Sequence, residues 1–257
     1  MKRREARNFY LYTAPWLIGF FVLTLYPIVY SFYLMFTDMN LTGVGKFIGL
    51  ENLKYAFTDD PLFIKAFINT LKYVVMFVPS SIILAFFVAL LLSKKVKGLG
   101  FFRTAFYIPY ITSGVAVTIL WGWIYQKDYG IINYVLSLFG IKGVNWLGDK
   151  NIAMISIVIL SLWTIGNNII IMLAGIQDIP QSYYESAQID GAGAIRQIFS
   201  ITLPLCTPTI YFNLIVTIIA AFQVFQQPLI LTNGGPLNST YTCLLYTSPS
   251  PRDRTRS

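Results

Sequence analysis

Five uncharged runs of about twenty residues punctuate the chain, and the stretches between them and at the two ends hold all of its charge. The runs are Ala14–Phe36, Tyr73–Leu92, Tyr107–Tyr125, Ile152–Ile176 and Pro208–Leu231. A bilayer core roughly 30 Å thick takes about 20 apolar residues in a helix. Lipid offers no partner to open backbone N–H and C=O groups, so each run is predicted as a membrane-spanning helix. The expected fold class is therefore all-α, a polytopic membrane helix bundle with five transmembrane helices. Pro27, Pro79, Pro109 and Pro228 fall within or at the ends of these runs and are expected to kink the helices without ending them.

Composition narrows the picture. Of 257 residues, 56% are apolar and only 12% are charged, about half the charge of an ordinary soluble domain. A soluble globule, a disordered chain and a repeat solenoid are excluded on that ground. The net charge of +8 sits in the gaps between apolar runs rather than along a nucleic-acid-binding stripe. With no His and only Cys206 and Cys243, neither a disulfide scaffold nor a zinc site is available. The only Gly/Lys cluster, Gly43-Val44-Gly45-Lys46, lacks the spacing and the following Ser/Thr of a phosphate loop.

Lys2, Arg3, Arg4 and Arg7 precede the first run, as in a signal peptide. However, the uncharged stretch from Asn8 to Thr37 far exceeds a cleavable apolar core, and no small-x-small site precedes Asp38. A retained anchor after a cytoplasmic segment 1–13 is expected. The loop between the second and third runs carries Lys94, Lys95, Lys97 and Arg103 with no acid, whereas the loops near 37–66 and 126–151 are acidic or nearly balanced. The positive-inside rule places the N-terminus and the 93–105 loop in the cytoplasm, and alternation adds the 177–207 loop. Trp16, Tyr26, Trp121, Trp123 and Tyr125 lie near run ends and are expected as interfacial anchors. Ala85 and Ala89 form a small-x-x-x-small pair suited to close helix approach.

The 177–207 loop predicts a short helix, a small-residue turn and a second helix. Pro180 ends the preceding span, and Ser182 with Glu185 forms a capping-box pattern. Asp190-Gly191-Ala192-Gly193 supplies the break, and Ile195, Ile198, Phe199 and Thr202 recur at helical spacing up to Pro204. A compact, half-apolar surface of this kind reads as a docking knob; an ordinary solvated loop is the plainer alternative.

At these residues the sequence resembles the inner-membrane permease subunits of binding-protein-dependent ABC importers. Their signature of Glu-Ala-Ala, three residues, Gly and a later Ile-x-Leu-Pro is met in register by Glu185, Ala187, Asp190, Gly191, Ala192, Phe199, Ile201, Leu203, Pro204 and Pro208, with Ser186 in place of the middle Ala. Similarity to the carbohydrate-uptake branch, of the maltose and glycerol-3-phosphate type, extends to Asn69-Thr70, Ile108-Pro109-Tyr110, Gly130-Ile131-Ile132-Asn133 and Asn233-Gly234-Gly235-Pro236, among others. The resemblance implies a permease domain over 14–242 whose loop seats in a cytoplasmic ATPase dimer. Glu185, Ser186, Ala187, Asp190, Gly191, Ala192, Phe199, Leu203 and Pro204 would make that contact. It further implies a second homologous permease subunit, an external or periplasmic solute-binding protein, a sugar substrate, and ATP with Mg on the partner ATPase and none in this chain.

The fourth and fifth runs are polar at mid-depth. Trp163, Thr164 and Asn167 in one, and Asn213, Thr217 and Gln223 in the other, supply amides, hydroxyls and an aromatic plate without charge, which suits a neutral sugar. The same groups also serve as interhelical glue, and the sequence leaves both roles open. Family members usually carry six spans; here the family-like sequence stops at Thr242, and the Ser-, Pro- and Arg-rich 243–257 is expected to be foreign sequence from a shifted or truncated reading frame or a cloning scar, with a native external tail as the alternative. An ATP-independent channel or facilitator would explain the polar spans but leave the 183–204 loop unused. A lipid-modifying enzyme would need a His, a metal cluster or a carboxylate pair at the interface, which the chain lacks.

Overall fold

The computed structural model describes residues 2–38, 45–94 and 98–248. Gly43, Val44, Lys95, Lys97 and the 249–257 end of the tail lie outside the described residues, as do the side chains of Lys2, Arg3 and Arg7. The chain forms two compact units, 1–64 and 65–257.

In the first unit, α1 (Lys2–Gly19) passes through a π-helical turn at Phe20–Leu25 into α2 (Tyr26–Met35). Pro27 has no N–H to give, and the wider turn just before it, with Tyr26 N–H reaching back to Phe21 O, carries the helix across the gap. A two-residue hairpin follows, β1 (Thr37–Asp38) antiparallel to β2 (Lys46–Phe47), with Thr37 opposite Phe47. The short helix α3 (Glu51–Thr58) is tied to it by Asn52, whose amide donates to Met35 O and Thr37 O.

The second unit is a helix bundle. Its spine is α4 (Pro61–Ser93), 33 residues and so about 50 Å long. Around it run α5 (Leu99–Ile111), α6 (Gly114–Ile124), α7 (Ile131–Leu138), α8 (Ala153–Trp163), α9 (Gly166–Gln177), α10 (Gln181–Ile189), α11 (Ala194–Gln197), a π turn at Ile198–Thr202, α12 (Leu203–Leu205), α13 (Thr207–Phe222), α14 (Gln226–Thr232) and α15 (Cys243–Thr247). Ala85 and Ala89 are fully buried against Ile165, Ile169, Met172 and Cys206, as their spacing predicts. A second cluster joins Tyr73, Val74 and Val78 to Met154, Ile157, Ala221 and Val224.

These two clusters fix the ends of the bundle. Leu92, Leu99, Ile176, Ile179 and Ile198 meet at one end, so the loops after α4 and after α9 share a side, as alternation requires. At the other end Asn69 donates to Asn238 O and Tyr241 O, Thr70 Oγ1 accepts Cys243 N–H, and Lys65 Nζ donates to Leu237 O. Between α6 and α8, Asn133 is a hub. Its amide donates to Lys127 O and Val144 O, and its oxygen accepts from Val144 N–H and Trp146 Nε1.

The five apolar runs are present, but three of them are not single helices. Asn8–Met35 and Pro61–Ser93 are continuous, the latter starting twelve residues before the charge-free stretch does. The third run breaks at Thr112–Ser113, where α5 and α6 turn through 98°, and the fourth at Thr164–Ile165, where α8 and α9 turn through 51°. The expected fifth span, Pro208–Leu231, is interrupted at Gln223–Phe225; the helix pair with spanning character is Ala194–Leu205 with Thr207–Phe222, bent by 66° at Cys206. Packing explains the breaks. A Cβ on Gly166 would run into Phe106 O and come within 3.0 Å of Tyr107 Cα, and one on Gly114 would meet Gln226 Oε1 at 2.6 Å. The glycine at 166 lets α9 lie on the α5 backbone, and the one at 114 leaves room for the Gln226 side chain of α14 beside α6.

Two further expectations are corrected. Tyr125 is no interfacial anchor: it is 1% exposed and donates its hydroxyl to Ser156 O. Ser182 does not cap α10, whose N-cap is Pro180 with no side-chain bond; the chain enters the helix two residues earlier, and the capping box does not form.

Candidate functional site: a cavity at three helix breaks and a docking loop

The three interruptions line one cavity. Thr112 and Gly114 from the first, Thr164 and Ile165 from the second, and Gln223, Val224 and Phe225 from the third all stand in the wall of a space of about 860 Å³. That is within the range of small-ligand sites. Open backbone at membrane depth is stable only where protein or a water-filled space covers it, so the breaks and the cavity account for each other. Each broken helix turns a C-terminal end and an N-terminal end toward the space, presenting carbonyl acceptors beside N–H donors. Among the described residues, no charged side chain lines it.

The polar residues expected in the two mid-depth spans separate into two groups. Asn168 Nδ2 donates to Thr217 Oγ1, Asn213 Nδ2 donates to Asn168 O, and Thr217 Oγ1 donates to Asn213 O. The first two bonds join α9 to α13, and the third lies within α13. Asn213 is fully buried and outside the cavity wall, whereas Thr217 lies at its edge. Asn167, Gln223, Gln226 and Gln227 also stand in the wall, and their amides have no hydrogen-bond partner among the described residues. Thr164 lines the space and donates to Ser161 O. Trp163 is not in the wall; it is exposed and packs edge-on to Trp121 at 6.0 Å. Aromatic surface in the cavity comes instead from Tyr73, Phe77, Tyr110 and Phe225. Sequence reading had no means of selecting Tyr73 and Phe77 from α4, although Tyr110 adjoins the Pro109 that precedes the first break.

The 181–205 segment folds as a bent pair of helices. Gly191 takes a left-handed φ of +77°, which an L side chain adopts only with strain. Its N–H bonds Gln188 O and the next N–H, of Ala192, bonds Ala187 O, so α10 closes in a Schellman motif. Gln197 Nε2 then bonds Ala192 O, and Tyr184 and Thr202 join their hydroxyls at 2.9 Å, clamping the second helix to the first. The second helix widens into the π turn just before Pro204, as α1 does before Pro27. Three large apolar side chains are left outward: Ile189, Ile195 and Phe199 are 88%, 73% and 64% exposed. Glu185, Ser186, Asp190 and Pro204 are exposed beside them, Leu203 is at the margin of exposure, and Ala187 and Ala192 are half-buried.

A helical membrane bundle with broken spans around an uncharged cavity, bearing a bent helical knob at one end, defines a multi-pass transport protein. Residues 61–248 match the family described as "Binding-protein-dependent transport system inner membrane component", and the chain belongs to that family. It is 39% identical over 248 residues to the probable ABC transporter permease protein YesP of Bacillus subtilis, covering 95% of this chain and 80% of that one. It is 34% identical to the trehalose/maltose transport system permease protein MalF of Thermococcus litoralis, covering 93% and 82%. It is also 34% identical to the arabinooligosaccharides transport system permease protein AraP of Bacillus subtilis, covering 92% and 76%. A solved structure of a bacterial alginate ABC transporter, in complex with an alginate pentasaccharide-bound periplasmic protein, matches with a TM-score of 0.73 at 26% identity, covering 94% of this chain and 82% of that one. The chain is thus a membrane permease subunit of an ABC transport system, and the family match favours that reading over an ATP-independent channel.

Proposed function

We propose that the cavity is a section of the path for a neutral saccharide, and that the 181–205 knob couples it to a separate ATPase. The observation that carries the first part is the convergence of three helix breaks on one uncharged space holding four unpartnered amides. A hydroxyl both donates and accepts, so a polyhydroxyl ligand can use carboxamides and both kinds of helix end, whereas an ion would meet no compensating charge. Relatives named for trehalose, maltose and arabinooligosaccharides support the substrate class. The exposed Ile189, Ile195 and Phe199, held on a rigid turn, support the docking role.

In this reading the chain itself catalyses nothing. ATP and Mg are bound by a cytoplasmic ATPase dimer, a second homologous permease subunit completes the passage, and an external solute-binding protein delivers the sugar. The basic N-terminus and the 93–105 loop face the cytoplasm, and the knob lies at the same end of the second unit as that loop. The experiment is transport by the reconstituted complex with Asn167→Ala and Gln227→Ala together. Uptake falls while the complex assembles as before; Asn213→Ala, by contrast, lowers the amount of assembled complex and leaves uptake per complex unchanged. Normal uptake kinetics in the double variant would overturn the path assignment.

A further inference from the structure

At the end of α4 away from the knob lies a second cavity, of about 610 Å³, built by three lysines. Lys65 and Lys72 project from one face of α4, two turns apart with the buried Asn69 between them, and Lys150 approaches from the loop that leads into α8. Among the described residues, no carboxylate lines the space. The acid nearest Lys150 in sequence, Asp149, stands outside the wall at the start of α8, where its Oδ1 accepts Asn151 N–H. Lys65 donates to Leu237 O at 2.6 Å and has two ammonium protons left. Ser239, also in the wall, has a buried Oγ with no hydrogen-bond partner. Below the lysines the wall turns apolar, with Met76, Met154 and Ile155, and the adjoining surface carries the exposed Val75 and Ile159.

Lys72 stands at the lip of a twenty-residue apolar run. A cation at that depth is costly unless its head reaches the interface or meets an anion. Three such heads over an apolar floor match one ligand class in both halves. We propose that this cavity seats the anionic headgroup of a membrane phospholipid, phosphate among Lys65, Lys72 and Lys150 and acyl chains against Met76 and Ile155. A carboxylate on a docking protein would satisfy the lysines but leave the apolar floor without a role. The inference is independent of the saccharide path.

The test is lipid retention by the full chain in bilayer discs of phosphatidylcholine doped with phosphatidylglycerol. The chain is expected to retain phosphatidylglycerol in preference to phosphatidylcholine. Lys72→Gln with Lys150→Gln is expected to weaken that retention about 30-fold, the equivalent of two lysine–headgroup contacts. The paired Lys→Arg variant keeps the retention, as does Lys142→Gln, which is outside the cavity; equal helical content and elution show that the Gln variant is folded. No preference for phosphatidylglycerol in the parent chain, or an unchanged preference in the Gln variant, would overturn the proposal. So would full displacement of the lipid by inorganic phosphate, which would assign a free anion. Retained lipid with lost capture of the solute-binding protein would assign the lysines to that protein instead.

Discussion

Replacing Gly166 by alanine tests whether the break in the fourth apolar run is held by packing. Gly166 opens α9, and a methyl there would collide with Phe106 O and crowd Tyr107 Cα at 3.0 Å. Both are backbone atoms of α5, so no side-chain rotation relieves the contact; α9 must move off α5. Overpacking of this kind costs about 1–3 kcal/mol. The gain in helix propensity from Gly to Ala, at most about 1 kcal/mol in a helix interior, is smaller at a first position. A net loss of about 1–2 kcal/mol corresponds to a melting shift of roughly 2–8 °C for a chain of this size. The assay is thermal unfolding of the purified chain in detergent, followed by loss of its monodisperse elution peak. Gly100→Ala is the control: it is inside α5, and a Cβ there meets nothing within 4 Å, so its melting point should hold or rise. If Gly166→Ala melts with or above the parent chain, packing against α5 does not create the break.

Two more predictions follow from single positions. Asn133→Ala strips four hydrogen bonds from the 127–146 loop at one stroke; buried unpaired groups cost about 1–3 kcal/mol each, so hydrogen exchange and tryptic cleavage at Lys127 and Lys142 should rise sharply, and unchanged protection would refute the hub. At Gly191, alanine should destabilise the turn by about 1–2 kcal/mol through its left-handed φ, whereas asparagine, which tolerates that region, should cost less. ATPase co-purification then separates the causes: loss with alanine but not asparagine identifies the turn as the requirement, while loss with both identifies steric contact at the partner surface, since a Cβ at Gly191 meets nothing within this chain.

Much of the bundle was legible in the sequence because lipid imposes a long, one-dimensional signal. The five uncharged runs, the pairing of Ala85 with Ala89, and the helix–turn–helix of the 181–205 segment all depend on local spacing. The breaks were not legible, because Thr112-Ser113-Gly114 and Thr164-Ile165-Gly166 are uncharged and do not interrupt an apolar count. The second is fixed by contact from elsewhere in the chain, where the α5 backbone presses on Gly166, and at the first the Gln226 side chain of α14 fills the space over Gly114. Once the fourth run bends by 51°, a helical wheel drawn through it fails. Ser156, Trp163 and Asn167 share a face on paper, but Ser156 is turned to Trp146 O, Trp163 to the outer surface, and Asn167 to the cavity. Helical spacing likewise puts Asn213 and Thr217 on one face but carries no sign that Asn168 bonds both. Tyr125 read as an anchor because it ends an apolar run; the 126–151 loop that folds over it, through Trp146 at 5.8 Å, is a tertiary fact.

The central claim is that the three helix breaks enclose one water-filled space. It is tested by thiol labelling of the full chain in bilayer discs, with Cys206→Ala and Cys243→Ser as background and single Thr112→Cys, Asn167→Cys and Gln223→Cys reporters. A small charged thiol reagent should modify all three, each at a rate well above that of Ile159→Cys on the apolar surface. Reporters as inert as Ile159→Cys would mean that the breaks are dry and sealed by protein, and the path would have to lie elsewhere.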